Sequence, residues 1–189
     1  AMALESKFKL KGETVTFPIG INATDRFLEA IERLTGKQVP EKYAKERGRL
    51  IDAYTDGHKY VFEKRFIIYG EEDFVIGLTE FLTEIGVEPI LIATGGKSNL
   101  FKDIIKSKLN PGHEPKIMTG ADFEEIEEAS KDLDPDFMIG HSKGYYISRK
   151  FEVPLIRVGF PIHDRLGGQR ILHLGYEGAH RLFESIVNQ

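Results

Sequence analysis

The chain has 189 residues, 41% hydrophobic and 30% charged, an ordinary globular composition for one large domain or one plus part of another. Its 26 basic residues against 30 acidic ones give a net charge of −4, with no like-charge block that would point to nucleic acid or a membrane surface. Zero cysteine excludes disulfides, thiolate metal sites and a cysteine nucleophile, and makes a reducing, cytoplasmic setting the default. No apolar run reaches ~18 residues, so no transmembrane helix is expected.

Taken in chain order, Ala1-Met2-Ala3 reads as a cloning remnant, and residues 4–11 are too short and lysine-interrupted for a secretory signal. Residues 14–19 can form a strand. Thr24 is placed as the N-cap of a helix running to Leu34 and ended by Gly36. Pro40 then sits at the first turn of a long helix to about Phe62, along which Tyr43, Arg47, Leu50, Tyr54, His58 and Val61 recur at helical spacing. At ~33 Å such a helix is long enough to bridge two lobes. Two helices before any sheet suggest the tail of a preceding lobe.

From Arg65 on, short apolar runs alternate with amphipathic segments. The runs are 66–69, 89–93, 116–118, 136–139 and 155–158, four of them near-continuously apolar, as in parallel strands covered on both faces. Helices are expected over 72–85 (stopped by Gly86), 98–109 (stopped by Asn110-Pro111-Gly112), 122–131 and near 145–150, with Ser98 and Asp122 as N-caps. A last helix over 176–188 carries Ala179, Leu182, Phe183, Ile186 and Val187 on one face. The pattern predicts an α/β fold with a doubly wound, mainly parallel sheet. It divides the chain into an N-terminal part (1–63), the sheet domain (64–160), and a turn and helix packing back (161–189).

Ligands of such a sheet gather at the carboxyl ends of its strands. Those ends read Tyr69-Gly70-Glu71, Thr94-Gly95-Gly96-Lys97-Ser98, Thr119-Gly120, Gly140-His141-Ser142-Lys143-Gly144 and Gly159-Phe160-Pro161. Thr94, Gly95, Gly96, Lys97, Ser98, His141 and Ser142 are therefore candidates for a ligand or an interface, and so are His163, Asp164 and Arg165. Tight β-α turns need glycines and hydroxyl caps even when nothing binds. Gly96-Lys97-Ser98 imitates the end of a P-loop, but the required earlier glycine falls on Leu91, inside a strand. A dinucleotide turn fails because Glu71, Glu72 and Asp73 follow Gly70 and would repel a pyrophosphate.

Ser142 in Gly-His-Ser-Lys-Gly looks like a nucleophile elbow without an evident base. The histidines show no metal-type pairing, so no metal ligand is assigned, and no catalytic residue either. His163, Asp164 and Arg165 are expected to tie their loop down by charge-assisted hydrogen bonds. The charges Glu41, Glu46, Arg47, Arg49 and Asp52, and the run of glutamates over 124–128, read as solvated or lobe-bridging helix faces.

Several of these stretches together resemble one family, the β-type subunits of nitrogenase component 1. They are Thr24-Asp25-Arg26-Phe27-Leu28, Gly36-Lys37-Gln38-Val39-Pro40-Glu41, Glu46-Arg47-Gly48-Arg49-Leu50-Ile51-Asp52 and Asp73-Phe74-Val75-Ile76-Gly77-Leu78. Pro135-Asp136-Phe137-Met138-Ile139-Gly140 follows, then Val153-Pro154-Leu155-Ile156-Arg157 leading into Gly159-Phe160-Pro161-Ile162-His163-Asp164-Arg165, with Gly175-Tyr176-Glu177-Gly178-Ala179 after it. The resemblance implies Rossmann-like lobes and correspondence to the C-terminal portion of such a subunit. An α-type subunit, a second β subunit and a reducing iron protein are the implied partners of a dinitrogen-reducing oxidoreductase. The interfacial iron–sulfur cluster would be held by cysteines elsewhere, leaving no cofactor in this stretch and no activity in it alone. Leu166-Gly167-Gly168-Gln169-Arg170 replaces the histidine-rich stretch usual in molybdenum types, and His141 and Lys143 stand where Asn and Tyr are usual. Molybdenum, vanadium and iron-only types, the cofactor-assembly scaffold and a light-independent chlorophyll-pathway reductase all stay open. So does a small-ligand-binding module.

Overall fold

A computed structural model gives the structure and describes residues 6–9 and 12–189; Ala1-Met2-Ala3 and part of the 4–11 stretch lie outside the described residues. Five strands form one parallel sheet: β1 (Arg65–Gly70), β2 (Glu88–Thr94), β3 (Lys116–Thr119), β4 (Phe137–Gly140) and β5 (Leu155–Arg157), in the order β3-β2-β1-β4-β5. β1 is central, paired with β2 on one side and β4 on the other. The chain therefore reverses direction across the sheet between β1 and β4, which makes that boundary the topological switch point.

The near-continuous apolar runs follow from coverage on both faces. On one face Phe66, Ile68, Ile92, Ile139 and Ile156 share a core with α3 (Glu72–Glu84), α4 (Phe101–Lys106) and the helices described next. On the other, Ile67, Tyr69, Leu91, Ala93 and Met138 pack against Ile126 of α5 (Phe123–Ser130) and Ile147 of α6 (Tyr145–Lys150). Each fully buried large side chain contributes about 1.5–3 kcal/mol.

The remaining helices are α1 (Ile21–Thr35), α2 (Glu41–Val61) and α7 (Gly175–Val187). α2 is one continuous helix, sending Leu50 and Val61 into the core and pressing against α7, where Gly57 lets Phe183 approach to 2.5 Å from the place a Cβ would occupy. Asp25 of α1 ties this layer together: Arg47 of α2 donates to both its oxygens at 3.0 Å, and the Tyr176 hydroxyl of α7 donates to it at 2.5 Å. Burial and this carboxylate raise the Tyr176 hydroxyl pKa.

Three expectations about local structure are corrected. Residues 14–19 make no extended strand, only one parallel bridge from Ile19 to Gly175, because the five-stranded sheet lies elsewhere. Thr24 lies inside α1, its hydroxyl donating back to the Gly20 carbonyl at 2.6 Å. The N-terminus is capped from 62–63 residues away, by Glu84, which accepts from Ile21 N at 2.7 Å, Asn22 N at 2.8 Å and the Tyr54 hydroxyl at 2.9 Å. Burial raises the Glu84 pKa against those hydrogen bonds. Ser98 is not the cap of α4: its hydroxyl accepts from Leu100 N at 3.3 Å and holds a turn, so the helix starts at Phe101 and ends at Lys106. Asp122 does cap α5, in a reciprocal capping box with Glu125.

Candidate functional site

All the candidate residues come from strand-end loops, and two of those loops are filled by the protein's own side chains. At the switch point Tyr69 occupies the space between β1 and β4. Its hydroxyl donates to the His141 carbonyl at 2.6 Å, and its ring meets Phe123 and His141 edge-on at 5.5 and 5.3 Å. Gly140 and Gly144 belong to this packing. A Cβ on Gly140 would lie 2.5 Å from the Tyr69 carbonyl oxygen, and one on Gly144 would collide with the Tyr69 hydroxyl. These glycines make room for a tyrosine. Burial raises the Tyr69 pKa, and burial followed by Lys143 lowers that of His141.

In the Thr94–Ser98 loop, Gly96 N donates to Thr94 Oγ1 at 3.1 Å and Ser98 N donates to Glu72 Oε1 at 2.9 Å. A Cβ on Gly96 would collide with the Glu72 carboxylate. An internal carboxylate thus stands where a phosphate would have to sit, the physical counterpart of the missing P-loop glycine. The Lys97 stem turns toward β3, its Cε 3.1 Å from the Cβ position of Gly120.

The third cluster joins two loops. Ser142 donates its hydroxyl to Asp164 Oδ1, while His163 N donates to Ser142 Oγ at 3.2 Å and Ser142 N to the Pro161 carbonyl at 3.1 Å. Arg157, at the end of β5, grips Asp164 with Nε at 3.0 and 2.8 Å and Nη2 at 2.6 Å, and lies over the Tyr145 ring at 5.8 Å. Arg165 touches Asp164 more loosely, at 3.7 Å. The Arg157 hydrogen bonds, then Ser142, hold the Asp164 pKa well below the usual carboxylate range. Such a carboxylate is a poor base, and the serine hydroxyl is committed to it, so the arrangement fastens loops without activating a nucleophile.

The structure therefore brings His141, Ser142, His163, Asp164 and Arg165 into one neighbourhood and places Thr94, Gly95, Gly96, Lys97 and Ser98 beside Glu72. His173 packs against Phe74 at 6.2 Å. Tyr69 and Arg157 are the residues sequence reasoning passed over, and Glu72 was read only as repelling a phosphate after β1. Arg157 carried a signal, an arginine ending an otherwise apolar strand.

The profile describing "Nitrogenase component 1 type Oxidoreductase" matches residues 1–189. The chain belongs to that family. Among component 1 relatives it is 38% identical to the nitrogenase molybdenum-iron protein beta chain of Azotobacter vinelandii, over 98% of this chain and 37% of the relative. It is 40% identical to the nitrogenase iron-iron protein beta chain of Rhodobacter capsulatus, over 98% of this chain and 41% of the relative. A solved structure, "Nitrogenase Cp1 at pH 6.5", superposes with a TM-score of 0.92 at 35% identity, covering all of this chain and 42% of that one. The chain spans about two fifths of the length of these relatives.

Component 1 proteins are metal-cluster oxidoreductases, and this chain's donors do not fit such a cluster. Iron–sulfur clusters are held by cysteine thiolates, of which it has none. Among the described residues no group of three or more His, Cys, Asp or Glu could hold a metal ion. No described helix is long and apolar enough to cross a membrane.

Proposed function

We propose that this chain is part of a nitrogenase component 1 β-type subunit, a structural and interface lobe of an enzyme that reduces dinitrogen in the cytoplasm. The observation that carries this reading is the match over the whole chain, at nearly equal identity, to beta chains of molybdenum-iron and iron-iron proteins. Near-equal identity to both leaves the metal type unassigned. In the assembled enzyme an α-type subunit and a second β-type subunit pair with it, an iron protein supplies electrons, and an interfacial cluster is held by cysteines outside this stretch.

The lobe's part is mechanical. With Tyr69 filling the switch point and the Glu72 carboxylate occupying the Gly96–Ser98 loop, the carboxyl edge is suited to docking. Thr94, Gly95, Gly96, Lys97 and Ser98 form one side of that edge, and His141, Ser142, His163, Asp164 and Arg165 the other. Phe160, 72% exposed, and Leu166, fully exposed, stand on the loop that the Asp164 network holds.

The test replaces Asp164 with alanine in the complete β-type subunit. Assembly with the α-type subunit is expected to fall while turnover per assembled complex stays unchanged. Normal assembly with slow turnover would show that the edge takes part in the chemistry. The purified chain itself is expected to be colourless and iron-free; stoichiometric iron with charge-transfer absorbance would count against this assignment of roles.

A further inference from the structure

A groove of about 640 Å³ opens at the carboxyl edge between the end of β1, the Gly96-Lys97-Ser98 loop and the Gly159-Phe160 turn. Its walls are aromatic. Phe17 and Phe74 meet edge to face at 5.9 Å, and Phe160, largely in solvent, lines the groove with them. Gly159, at φ 71°, brings its turn within 3.3 Å of the Phe74 ring, measured from where a Cβ would be, so the wall closes only around a glycine.

The rim of the groove is acidic, formed by Glu71, Glu72 and Asp73. Glu72 is engaged by Ser98 N, but among the described residues neither Glu71 nor Asp73 lies in an ion pair. The one cation on the lining, Lys97, runs its stem toward Gly120 at the end of β3. Three aromatic rings bordered by two carboxylates outside any ion pair, one of them within electrostatic reach of His141, form a surface complementary to one kind of side chain. It has an apolar stem and a delocalised positive head, able to lie on ring faces and reach carboxylates with several donors at once.

We infer that this groove receives an arginine side chain from a protein segment docking on the carboxyl edge. The inference rests on the reading of that edge as an interface and adds the chemistry of what it meets. The guanidinium lies over Phe160 and Phe74 and donates to Glu71 and Asp73. Glu71 and Asp73 stand at the N-terminal end of α3, whose dipole favours negative charge there.

The probe is an acetylated, amidated Gly-Arg-Gly peptide titrated into the chain and followed by backbone amide shifts. The neutral isostere with citrulline in place of arginine is titrated in parallel. The arginine peptide is expected to shift Gly96, Gly159 and Phe160 at low millimolar concentration, with the citrulline peptide about 2–5-fold weaker. In the Glu71→Gln, Asp73→Asn double variant that preference should vanish, and Phe160→Ala should weaken both peptides. Equal binding of the two peptides to the unaltered chain, a preference that survives the double variant, or shifts mapping elsewhere would each overturn the inference. Association with the α-type subunit is measured separately on the same variants. Association lost in Phe160→Ala without any arginine preference sinks the inference and keeps the interface. An arginine preference with undisturbed association sinks the interface reading alone.

Discussion

At the carboxyl edge, Asp164 fastens Arg157, seven positions before it, and Ser142, 22 positions before it. In the helical layer, Asp25 fastens Arg47, 22 positions after it, and Tyr176, 151 positions after it. Both clusters set an aspartate between an arginine and a hydroxyl, yet they differ in dryness. The side chains of Arg157 and Asp164 are 12% and 23% exposed, those of Arg47 and Asp25 42% and 28%. Drier pairs are screened less and cost more to break one-sidedly. The edge therefore holds itself rigid through nearby chain, whereas the helical layer is held by a wetter clasp between remote segments.

Five substitutions break or sharpen that contrast. The largest effect is expected at the edge itself. Gly140→Ala drives a methyl against the Tyr69 backbone and ring and should cost about 3 kcal/mol, lowering Tm by roughly 6–12 °C in a thermal melt. Asp164→Ala strands the Arg157 guanidinium and should cost about 2 kcal/mol.

Asp164 also sets a pH dependence. Its folded pKa is depressed, so its contribution is fully present above about pH 4, the unfolded value, and is lost as pH falls toward the folded one. The Tm gap between the unaltered chain and Asp164→Asn should accordingly be constant at neutral pH and close on acidification below about pH 4. A gap that widens in acid would refute the depressed carboxylate.

Asp25→Ala in the wetter cluster should cost only about 1 kcal/mol by urea denaturation, since water can replace much of what Arg47 loses. If it costs more than Asp164→Ala, the ranking by dryness is wrong. Smallest is Glu72→Ala, about 0.5 kcal/mol, because Ser98 N is exposed enough to turn to water.

The same difference in chain distance separates what was legible in the sequence from what was not. The five strands announced themselves because a sheet covered on both faces needs continuous apolar runs, and Pro40 opened α2 in place. Asp122 showed its cap because Glu125 is three residues away. Glu84 did not: nothing near Ile21 indicates that a side chain 63 positions later accepts its amide. Ser98 looked like a cap until Glu72, 26 positions earlier, took its amide. The glycines at positions 96, 140 and 144 were readable as close approach, but whether a ligand or a side chain approaches depends on Tyr69 and Glu72, whose placement is tertiary. Asp164 was expected to tie down its own loop and does so, its main partner being Arg157 at the end of the strand that feeds that loop, with Ser142 added from the loop after β4.

One modest feature governs the order in which this chain can complete itself. Ile19 bridges to Gly175, and the Gly175 amide donates to the Pro18 carbonyl at 2.7 Å, so α1 and α2 leave the ribosome well before the α7 they pack against. During synthesis the part of α2 around Gly57 that Phe183 covers must wait exposed until about 120 later residues have been made, a delay of ~6–25 s at ordinary elongation rates. The sheet can collapse in that interval from contacts between successive strands and helices, whose shorter loops close at lower entropic cost. A nascent-chain chaperone that recognises amphipathic helices would find its opening in α2.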